Sequence, residues 1–204
     1  MRGIIFKISL VCVLFVLGYG AAQSYEKNKG AGTMEKATFA GGCFWCMESA
    51  FEKIDGVGNV ISGYIGGQGK NPTYGDYAEK GYIEAIEVPY DPSRITYRQL
   101  LDVFWRQINP TDSGGQFVDR GSQYRSAIFY HNEEQRQHAE QSKKDIGKSG
   151  RYDAPIVTEI IKAGDFYPAE GYHQDYYKTH PIKYKFYRYH SGRDRYLNKI
   201  WNKQ

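Results

Sequence analysis

Apolar residues recur at spacings of three and four in two stretches of the chain, which is the pattern of helices with one buried face. The first stripe follows Cys43 and comprises Phe44, Met47, Phe51 and Ile54. The second comprises Leu100, Leu101, Phe104, Trp105 and Ile108. Thr96 and Gln99 have the spacing of a capping box at the start of the second helix. A third helix is predicted to begin after Asn132.

Four segments have the alternation or the residue content that is typical of strands. They span residues 36–40, 82–91, 124–130 and 154–161, and the second should end at Pro89 and Pro92. Helices and strands follow one another, and no linker divides them. The sequence therefore predicts one α+β domain over residues 36–204, a sandwich of helices on a mixed sheet.

The first 22 residues differ in character from the rest of the chain. Arg2 and Lys7 lie beside an apolar run from Ile8 to Leu17, and small residues follow at 20–22. This order is typical of a secretory signal peptide, so we expect cleavage after Ala22, a flexible lead over residues 23–35, and export to the bacterial periplasm. An uncleaved anchor is the alternative, although the apolar run is short for a membrane span. Such an anchor would be the protein's only contact with a membrane.

Composition and charge narrow the class of partner. The chain has 204 residues and a formal net charge of +4, too little by itself to indicate nucleic acid as a partner. It also has 19 tyrosines, whose hydroxyls could line a polar cleft or whose rings could simply pack. A small molecule or a peptide remains open as the substrate.

Cysteine usage directs attention to one motif. Loss of the signal peptide would remove Cys12 and leave only Cys43 and Cys46, in "GGCFWC". A structural disulfide over so short a loop would constrain the unfolded chain little. A zinc site would need two more ligands, and the five histidines lack zinc-site spacing, so we expect no metal and no cofactor. Redox or nucleophilic use of the two thiols is the favoured interpretation.

The surroundings of the motif indicate which thiol attacks. Gly41 and Gly42 permit a tight turn, and Cys43 falls at or just before the helix N-terminus. The positive end of the helix dipole favours a thiolate there, so we expect Cys43 to be the nucleophile near neutral pH. Cys46 lies one turn later on the same face, close enough to form a disulfide with Cys43.

"GCFWC" resembles the "GCFWG" signature of the peptide methionine sulfoxide reductase A family, and the resemblance continues from about Lys36 to Tyr177. It includes "GYIGGQGKNPTYGDYAEKGYIEAIEVPYD", "QFVDRGSQYRSAIFY" and "FYPAEGYHQDYY". The resemblance implies a ferredoxin-like two-layer sandwich with long loops around the active site. It also implies reduction of methionine S-sulfoxide, free or in proteins, with thioredoxin or a similar dithiol as reductant.

The resemblance assigns an acid and two hydrogen-bond donors. Glu84 shares a strand face with Tyr82 and Ile86, and a carboxyl group among apolar neighbours should have a raised pKa, as a general acid requires. An exposed edge-strand glutamate is the alternative reading of Glu84. Tyr74 and Tyr124 would otherwise be packing residues, but the resemblance places their hydroxyls at the sulfoxide oxygen.

The remaining site residues also come from the resemblance. Asp119 would organise the pocket near the catalytic cysteine, although a turn cap is its plain interpretation. Phe44 and Trp45 would form a hydrophobic wall for the substrate methyl group, although Phe44 also lies on the apolar stripe. His173 and Gln174 would support the site; His173 is otherwise an ordinary hydrogen-bonded histidine.

The chain departs from the family pattern in its second thiol. The commoner signature ends in glycine and the resolving cysteines lie in a C-terminal tail, whereas this chain has no cysteine after Cys46. We therefore expect Cys46 to resolve the Cys43 sulfenic acid as a disulfide. The basic, aromatic tail "KYKFYRYHSGRDRYLNKIW" is interpreted as a solvated cover over the core, in preference to a nucleic-acid or membrane surface.

Two other classes of function stay open on the residues alone. A C-x-x-C pair at a helix start is also the working part of thioredoxin-like disulfide exchangers. An exported binding module could use the pair as a structural clip and a tyrosine-rich surface to hold a partner.

Overall fold

The computed structural model describes residues 33–202. The predicted signal peptide and nearly all of the predicted lead therefore lie outside the described residues. Within the described part of the chain, no helix has the length and apolar character needed to cross a membrane.

Strands and helices alternate through the first half of the domain, and helices dominate its end. The strands are β1 (Glu35–Gly41), β2 (Ile61–Ile65), β3 (Ile83–Tyr90), β4 (Gly115–Gln116), β5 (Asp119–Arg120), β6 (Ser126–Tyr130), β7 (Glu159–Lys162) and β8 (Phe166–Pro168). The helices are α1 (Phe44–Phe51), α2 (Tyr97–Trp105), α3 (Glu133–Lys148), α4 (Tyr176–Thr179), α5 (Pro181–His190) and α6 (Arg193–Trp201). We call α5 and α6 together the C-terminal arm.

The main sheet has the order β7-β6-β1-β3-β2-β8. Its central strands β6, β1, β3 and β2 pair antiparallel, with α1 between β1 and β2 in the chain and α2 between β3 and β6. This succession and strand order are those of a ferredoxin-like sandwich, which confirms the expected fold. β7 extends the sheet by parallel pairing with β6, and β8 pairs with the other edge strand, β2.

The core between sheet and helices explains why the two apolar stripes form helices. Phe39 of β1 is fully buried, and its ring stacks on Phe51 of α1 at 5.3 Å and on Phe104 of α2 at 5.1 Å between centroids. Burial of an aromatic side chain of this kind stabilises a fold by roughly 1.5–3 kcal/mol. The sandwich thereby fixes the start of α1 against the sheet.

Local capping signals are confirmed, while two strand boundaries are not. Thr96 and Gln99 form the predicted capping box of α2, and Asn132 caps α3. β3 continues through Pro89 to Tyr90, because β2 pairs with β3 only as far as Glu87 and the missing N–H of Pro89 needs no partner there. The strand predicted over 154–161 forms only as β7, which begins at Glu159.

Candidate active site

A glycine turn delivers Cys43 to the N-terminus of α1. Gly42 adopts a positive φ of 77°, and a Cβ on Gly41 would lie 2.5 Å from the Met47 sulfur, so both positions need glycine. Cys43 is the N-cap residue, and its carbonyl accepts the backbone N–H of Cys46 at 3.1 Å. Both cysteines are free thiols, with Cys43 5% exposed and Cys46 fully buried. The predicted position of the pair is thus confirmed.

Glu84 joins β3 to the start of α1. Its carboxyl group is only 2% exposed and accepts the backbone N–H of Phe44 at 2.9 Å, a donor that the first helical turn otherwise leaves unpaired. Burial raises the pKa of Glu84 to about 8, because the hydrogen bonds from Phe44 and Tyr77 only partly offset the loss of hydration. Glu84 is therefore the buried, protonated carboxyl group that the sequence predicted, placed directly beside Cys43.

Three tyrosines surround Glu84, one of which the sequence reasoning missed. The Tyr77 hydroxyl donates to Glu84 at 3.0 Å. Tyr124 interacts with Tyr77, and Glu84 raises the pKa of both phenols in addition to their burial. The Tyr74 ring stacks on Tyr77 at 5.7 Å and is 43% exposed, and Glu84 and Cys43 raise the pKa of its phenol in addition to burial. All three phenols remain protonated near neutral pH and can donate hydrogen bonds.

An aromatic wall stands beside the cysteines. Phe44 is buried in the core, as its position on the apolar stripe suggested, yet its ring centroid lies 5.1 Å from that of His173 and 6.3 Å from that of Trp45. The indole of Trp45 stacks face to face on Tyr176 at 3.8 Å. Trp45 thus presents an apolar surface that is held from behind by α4.

His173 and Gln174 take different positions. His173 is buried among the rings of Phe44, Trp45 and Tyr74, neither ring nitrogen has a partner within the described residues, and burial lowers its pKa. The Gln174 amide is taken up by backbone groups, since it accepts from Ser62 N–H and donates to the carbonyls of residues 62 and 169. Gln174 therefore fixes the loop that carries His173, and His173 faces the wall.

The electrostatics of the thiol pair differ from the expectation. Burial raises the pKa of Cys43, and the adjacent Cys46 sulfur and Glu84 raise it further. The pKa of Cys46 is lowered to about 6, chiefly by the Cys43 thiol and then by the positive charges of Arg193 and Arg188. This direction is opposite to the expected one, because burial raises the Cys43 pKa that the helix N-terminus was expected to lower. The lower pKa of the pair therefore belongs to Cys46.

The C-terminal arm covers the pair: Phe186 and Tyr189 on its outer side are exposed, as expected of a solvated cover, while its inner side contacts the site. Tyr184 packs on Cys43 and Cys46, and Tyr187 donates to Asp119. Burial raises the pKa of Asp119, whose negative charge acts on both Cys46 and Glu84. Asp119 thus lies at the site as expected. The spacing of Tyr184, Tyr187 and Arg188 is that of one helical face, and it is the signal in the sequence that could have revealed this inner surface.

The arrangement defines a class of chemistry. A thiol with an adjacent thiolate can attack a soft electrophile, and a protonated carboxyl group with phenols beside it can donate a proton to an oxygen on that electrophile. The described residues contain no cluster of three or more histidine, cysteine or acidic side chains that could hold a metal ion. A ferredoxin-like sandwich with this site is therefore a candidate thiol-dependent oxidoreductase.

Comparisons with known proteins agree with this class. The sequence model of the peptide methionine sulfoxide reductase family matches residues 35–204. The chain is 53% identical to peptide methionine sulfoxide reductase MsrA of Bacillus licheniformis, over 83% of this chain and 95% of that protein. It is 52% identical to MsrA of Listeria innocua, over 83% of this chain and 97% of that protein.

Solved structures show the same likeness. Methionine sulfoxide reductase A of Corynebacterium diphtheriae superposes with a TM-score of 0.70 at 31% identity, covering 75% of this chain and 78% of that one. Reduced Mxr1 from Saccharomyces cerevisiae superposes with a TM-score of 0.69 at 31% identity, covering 73% and 87%. The chain belongs to the peptide methionine sulfoxide reductase family, as the resemblance indicated, and not to the thioredoxin-like exchangers.

Proposed function

We propose that this protein reduces methionine S-sulfoxide, free or in proteins, to methionine, and that Cys43 and Cys46 supply the two electrons. The observation that carries the proposal is the contact between Glu84 and the start of α1, 2.9 Å from the Phe44 N–H, which sets a protonated carboxyl group beside the Cys43 thiol. Family membership and the resemblance around "GCFWC" support the substrate and its S configuration.

The first step transfers oxygen from the substrate to Cys43. The Cys43 sulfur attacks the sulfoxide sulfur and passes its proton to the Cys46 thiolate, while Glu84 protonates the sulfoxide oxygen and Tyr74 and Tyr124 donate hydrogen bonds to it. The hydroxyl group then moves from the substrate sulfur to the Cys43 sulfur as the bond between the two sulfurs breaks, which releases methionine and leaves Cys43 as a sulfenic acid. At this point Cys46 is a neutral thiol and Glu84 is a carboxylate.

The second step forms the disulfide. The Cys46 sulfur attacks the Cys43 sulfur, and the sulfenic hydroxyl departs as water with the proton that Cys46 gives up. An external dithiol then reduces the disulfide by two exchanges and is itself oxidised. One proton afterwards returns from Cys46 to Glu84, which restores the starting state.

We assign the reductant to thioredoxin or a thioredoxin-like protein. Mxr1 of Saccharomyces cerevisiae, which shares the fold, has been solved in complex with Trx2. Because exported disulfides tend to stay oxidised, a protein working outside the cytoplasm would need a dithiol delivered across the membrane.

A turnover assay tests the function. The purified protein is mixed with S- or R-configured methionine sulfoxide and a dithiol, and methionine is quantified. We expect methionine from the S form only, none from Cys43→Ser, and an unchanged rate from the control Cys12→Ser, which lies outside the domain. Failure of the unmodified protein to release methionine from either form would refute the proposal and favour the binding module.

A second variant tests the resolving role of Cys46. We expect Cys46→Ser to release methionine once and then to lose turnover supported by thioredoxin, because the sulfenic acid has no thiol neighbour to condense with. Unchanged multiple turnover with thioredoxin would show that Cys46 is not the resolving cysteine.

We further propose that the domain is exported to the periplasm. The order of charged, apolar and small residues over 1–22 supports this proposal. The intact mass of the protein from a periplasmic fraction should lack residues 1–22. Recovery of the full-length chain from the cytoplasm alone would contradict export.

A further inference from the structure

Arg193 is a buried cation without an ion-pair partner. It is fully buried at the start of α6, and within residues 33–202 no carboxylate forms an ion pair with it. Its guanidinium group donates to the Gly41 carbonyl at 3.1 Å from each terminal nitrogen and to the Gln107 carbonyl at 2.5 Å. The Nε–H group has no partner in the described part of the chain, and the guanidinium carbon lies 4.6 Å from the centroid of the Phe117 ring. No ion pair neutralises this buried charge, which is costly. An anion is therefore expected close by.

The cysteine pair is the group next to this guanidinium. Gly41 and Gly42 form the turn that leads directly into Cys43, and a Cβ on Gly42 would lie 3.1 Å from a terminal nitrogen of Arg193. The positive charge of Arg193 lowers the pKa of both Cys46 and Asp119. Asp119 also accepts a hydrogen bond from Tyr187.

Arg188 reaches the same pair from α5. It lies 3.4 Å from the Cys46 carbonyl and 3.4 Å from the Tyr184 hydroxyl, and Tyr184 packs on both cysteines. Its own charge is largely paired with Asp194, at 2.7 Å. Arg188 thus adds a weaker positive potential at Cys46, and Arg193 supplies the positive charge that no ion pair neutralises.

We propose that Arg193, assisted by Arg188, is the counter-charge that holds Cys46 as a thiolate. The proposal rests on the function proposed above for Cys46, and it gives the C-terminal arm a direct part in the reaction. In the resting enzyme the charge keeps a proton acceptor beside Cys43. During regeneration the same charge stabilises Cys46 as the departing sulfur.

The exposure of the two cysteines determines which sulfur the external dithiol attacks during regeneration. Cys43 retains 5% of its accessible surface and Cys46 none, so the external dithiol meets the Cys43 sulfur first. Its thiolate bonds to Cys43, the disulfide bond breaks, and the electron pair stays on Cys46. The second donor thiol then displaces Cys43, and the donor leaves as a disulfide. A sulfur with a lower pKa departs faster, so the arginines accelerate this exchange.

Other groups act on Cys46 as well and must be held constant in a test. The Cys43 thiol favours the thiolate, whereas burial and Asp119 oppose it. The titratable and charged groups that face Cys46 are Cys43 of the α1 cap, Glu84 of β3, Asp119 of β5, Tyr184, Tyr187 and Arg188 of α5, and Arg193 of α6.

The test is a titration of Cys46 by its ultraviolet thiolate absorbance. The full chain carries Cys12→Ser and Cys43→Ser, which leaves Cys46 as the only thiol. Arg193→Gln and Arg188→Gln are compared with Arg195→Gln, which removes an exposed arginine from the same helix. We expect the Cys46 pKa to rise by about one unit, a tenfold loss of thiolate at acidic pH, in Arg193→Gln, by less in Arg188→Gln, and not at all in the control.

A kinetic readout complements the titration. With both cysteines present, Arg193→Gln should slow reduction of the Cys43–Cys46 disulfide by a small dithiol about tenfold. If circular dichroism shows that Arg193→Gln does not fold, the titration of Cys46 in Arg188→Gln tests the proposal instead. Unchanged titration of Cys46 in folded arginine variants would overturn the proposal. Because the titration needs no substrate, that result differs from a failure of the proposed function, which would be absence of methionine from the unmodified protein.

Discussion

The Glu84 carboxyl group is buried, and both of its hydrogen-bond partners are donors. The Phe44 N–H and the Tyr77 hydroxyl donate to it, and the pKa nevertheless rises to about 8. Hydration loss therefore outweighs two hydrogen bonds at this residue. Glu84 is therefore protonated up to about pH 8, and Cys46, with a pKa of about 6, is deprotonated above about pH 6, so both conditions hold between these two values.

This overlap predicts a bell-shaped pH dependence for the first turnover. Methionine release requires the thiol pair to have lost a proton, so the rate should rise with pH through about 6. It also requires protonated Glu84, so the rate should fall as pH rises through about 8. Rapid-quench measurement of methionine across a pH series checks both limbs. A rate that continues to rise above pH 8 would exclude Glu84 as the acid.

Tyr77→Phe removes the hydrogen bond from the Tyr77 hydroxyl to Glu84 and keeps the aromatic ring. Since the Tyr77 hydroxyl lowers the pKa of Glu84, its removal should move the falling limb to higher pH, by about half a unit. The matched control is Tyr90→Phe, whose hydroxyl contacts Glu35 instead. An identical falling limb in the Tyr77 and Tyr90 variants would show that Tyr77 does not set the acidity of Glu84.

At the scale of residues, the sequence predicted the burial of side chains in strands, where alternation shows which face they share. It did not predict the contacts of side chains in loops. The burial of Glu84 follows from strand alternation beside Tyr82 and Ile86. Tyr77 lies in a turn between β2 and β3, where no periodicity indicates direction, and its contact with Glu84 is visible only in three dimensions. The Cys43 pKa was mispredicted because the degree of burial at a helix N-terminus cannot be read from local spacing.

At the scale of elements, α1 is held from two sides. On one side, Glu84 accepts the first backbone N–H of α1. On the other side, Asp175, in the segment leading into α4, donates its backbone N–H to Glu48 of α1 at 3.0 Å. Tyr177 and Lys178 both contact Glu52. These contacts fix the catalytic helix against the loop that carries His173. The second Glu48 carboxyl oxygen is buried without a partner in the described part of the chain.

Glu48 should make stability depend on pH. Its pKa is raised from 4.5 to about 7, chiefly by burial, so the folded state keeps a proton that the unfolded chain releases. The free energy of unfolding should therefore decrease as pH rises between about 4.5 and 7, by up to about 3 kcal/mol. Glu48→Gln keeps the acceptor for Asp175 N–H but does not titrate. Its stability relative to the unmodified protein should thus grow over this range.

Urea unfolding at pH 5 and pH 8 measures this difference. The control is Glu79→Gln, which neutralises an exposed glutamate in the loop between β2 and β3. A gap between Glu48→Gln and the unmodified protein that stays constant from pH 5 to pH 8 would contradict the assignment.

Element boundaries could be predicted where the signal is local. The caps at Thr96 and Asn132 are contacts within one turn, so a short stretch of sequence specifies them. The length of β7 depends on pairing with β6, and the continuation of β3 through Pro89 depends on where β2 ends. Both are set by partners distant in the chain, which local patterns do not contain.

At the scale of the whole molecule, the sandwich supplies the base of the site and the C-terminal arm supplies its cover. The resemblance predicted the ferredoxin-like sheet, and it implied Glu84 as the acid. It did not predict that the arm would place Tyr184, Tyr187 and two arginines on the cysteines, because the family pattern it was compared with carries resolving cysteines in that region. In this chain the arm packs on Cys46 of α1, the thiol that we propose as the resolving one.

The central claim is that Cys43 takes the substrate oxygen and Cys46 resolves it within one helical turn. The most direct measurement is the intact mass of the reduced Cys12→Ser protein after reaction with excess methionine S-sulfoxide and no reductant. We predict release of one methionine per chain and a protein lighter by two hydrogen atoms, whereas the matched Cys46→Ser variant should gain one oxygen atom. A protein with Cys46 intact that gains an oxygen atom and forms no disulfide would contradict the claim.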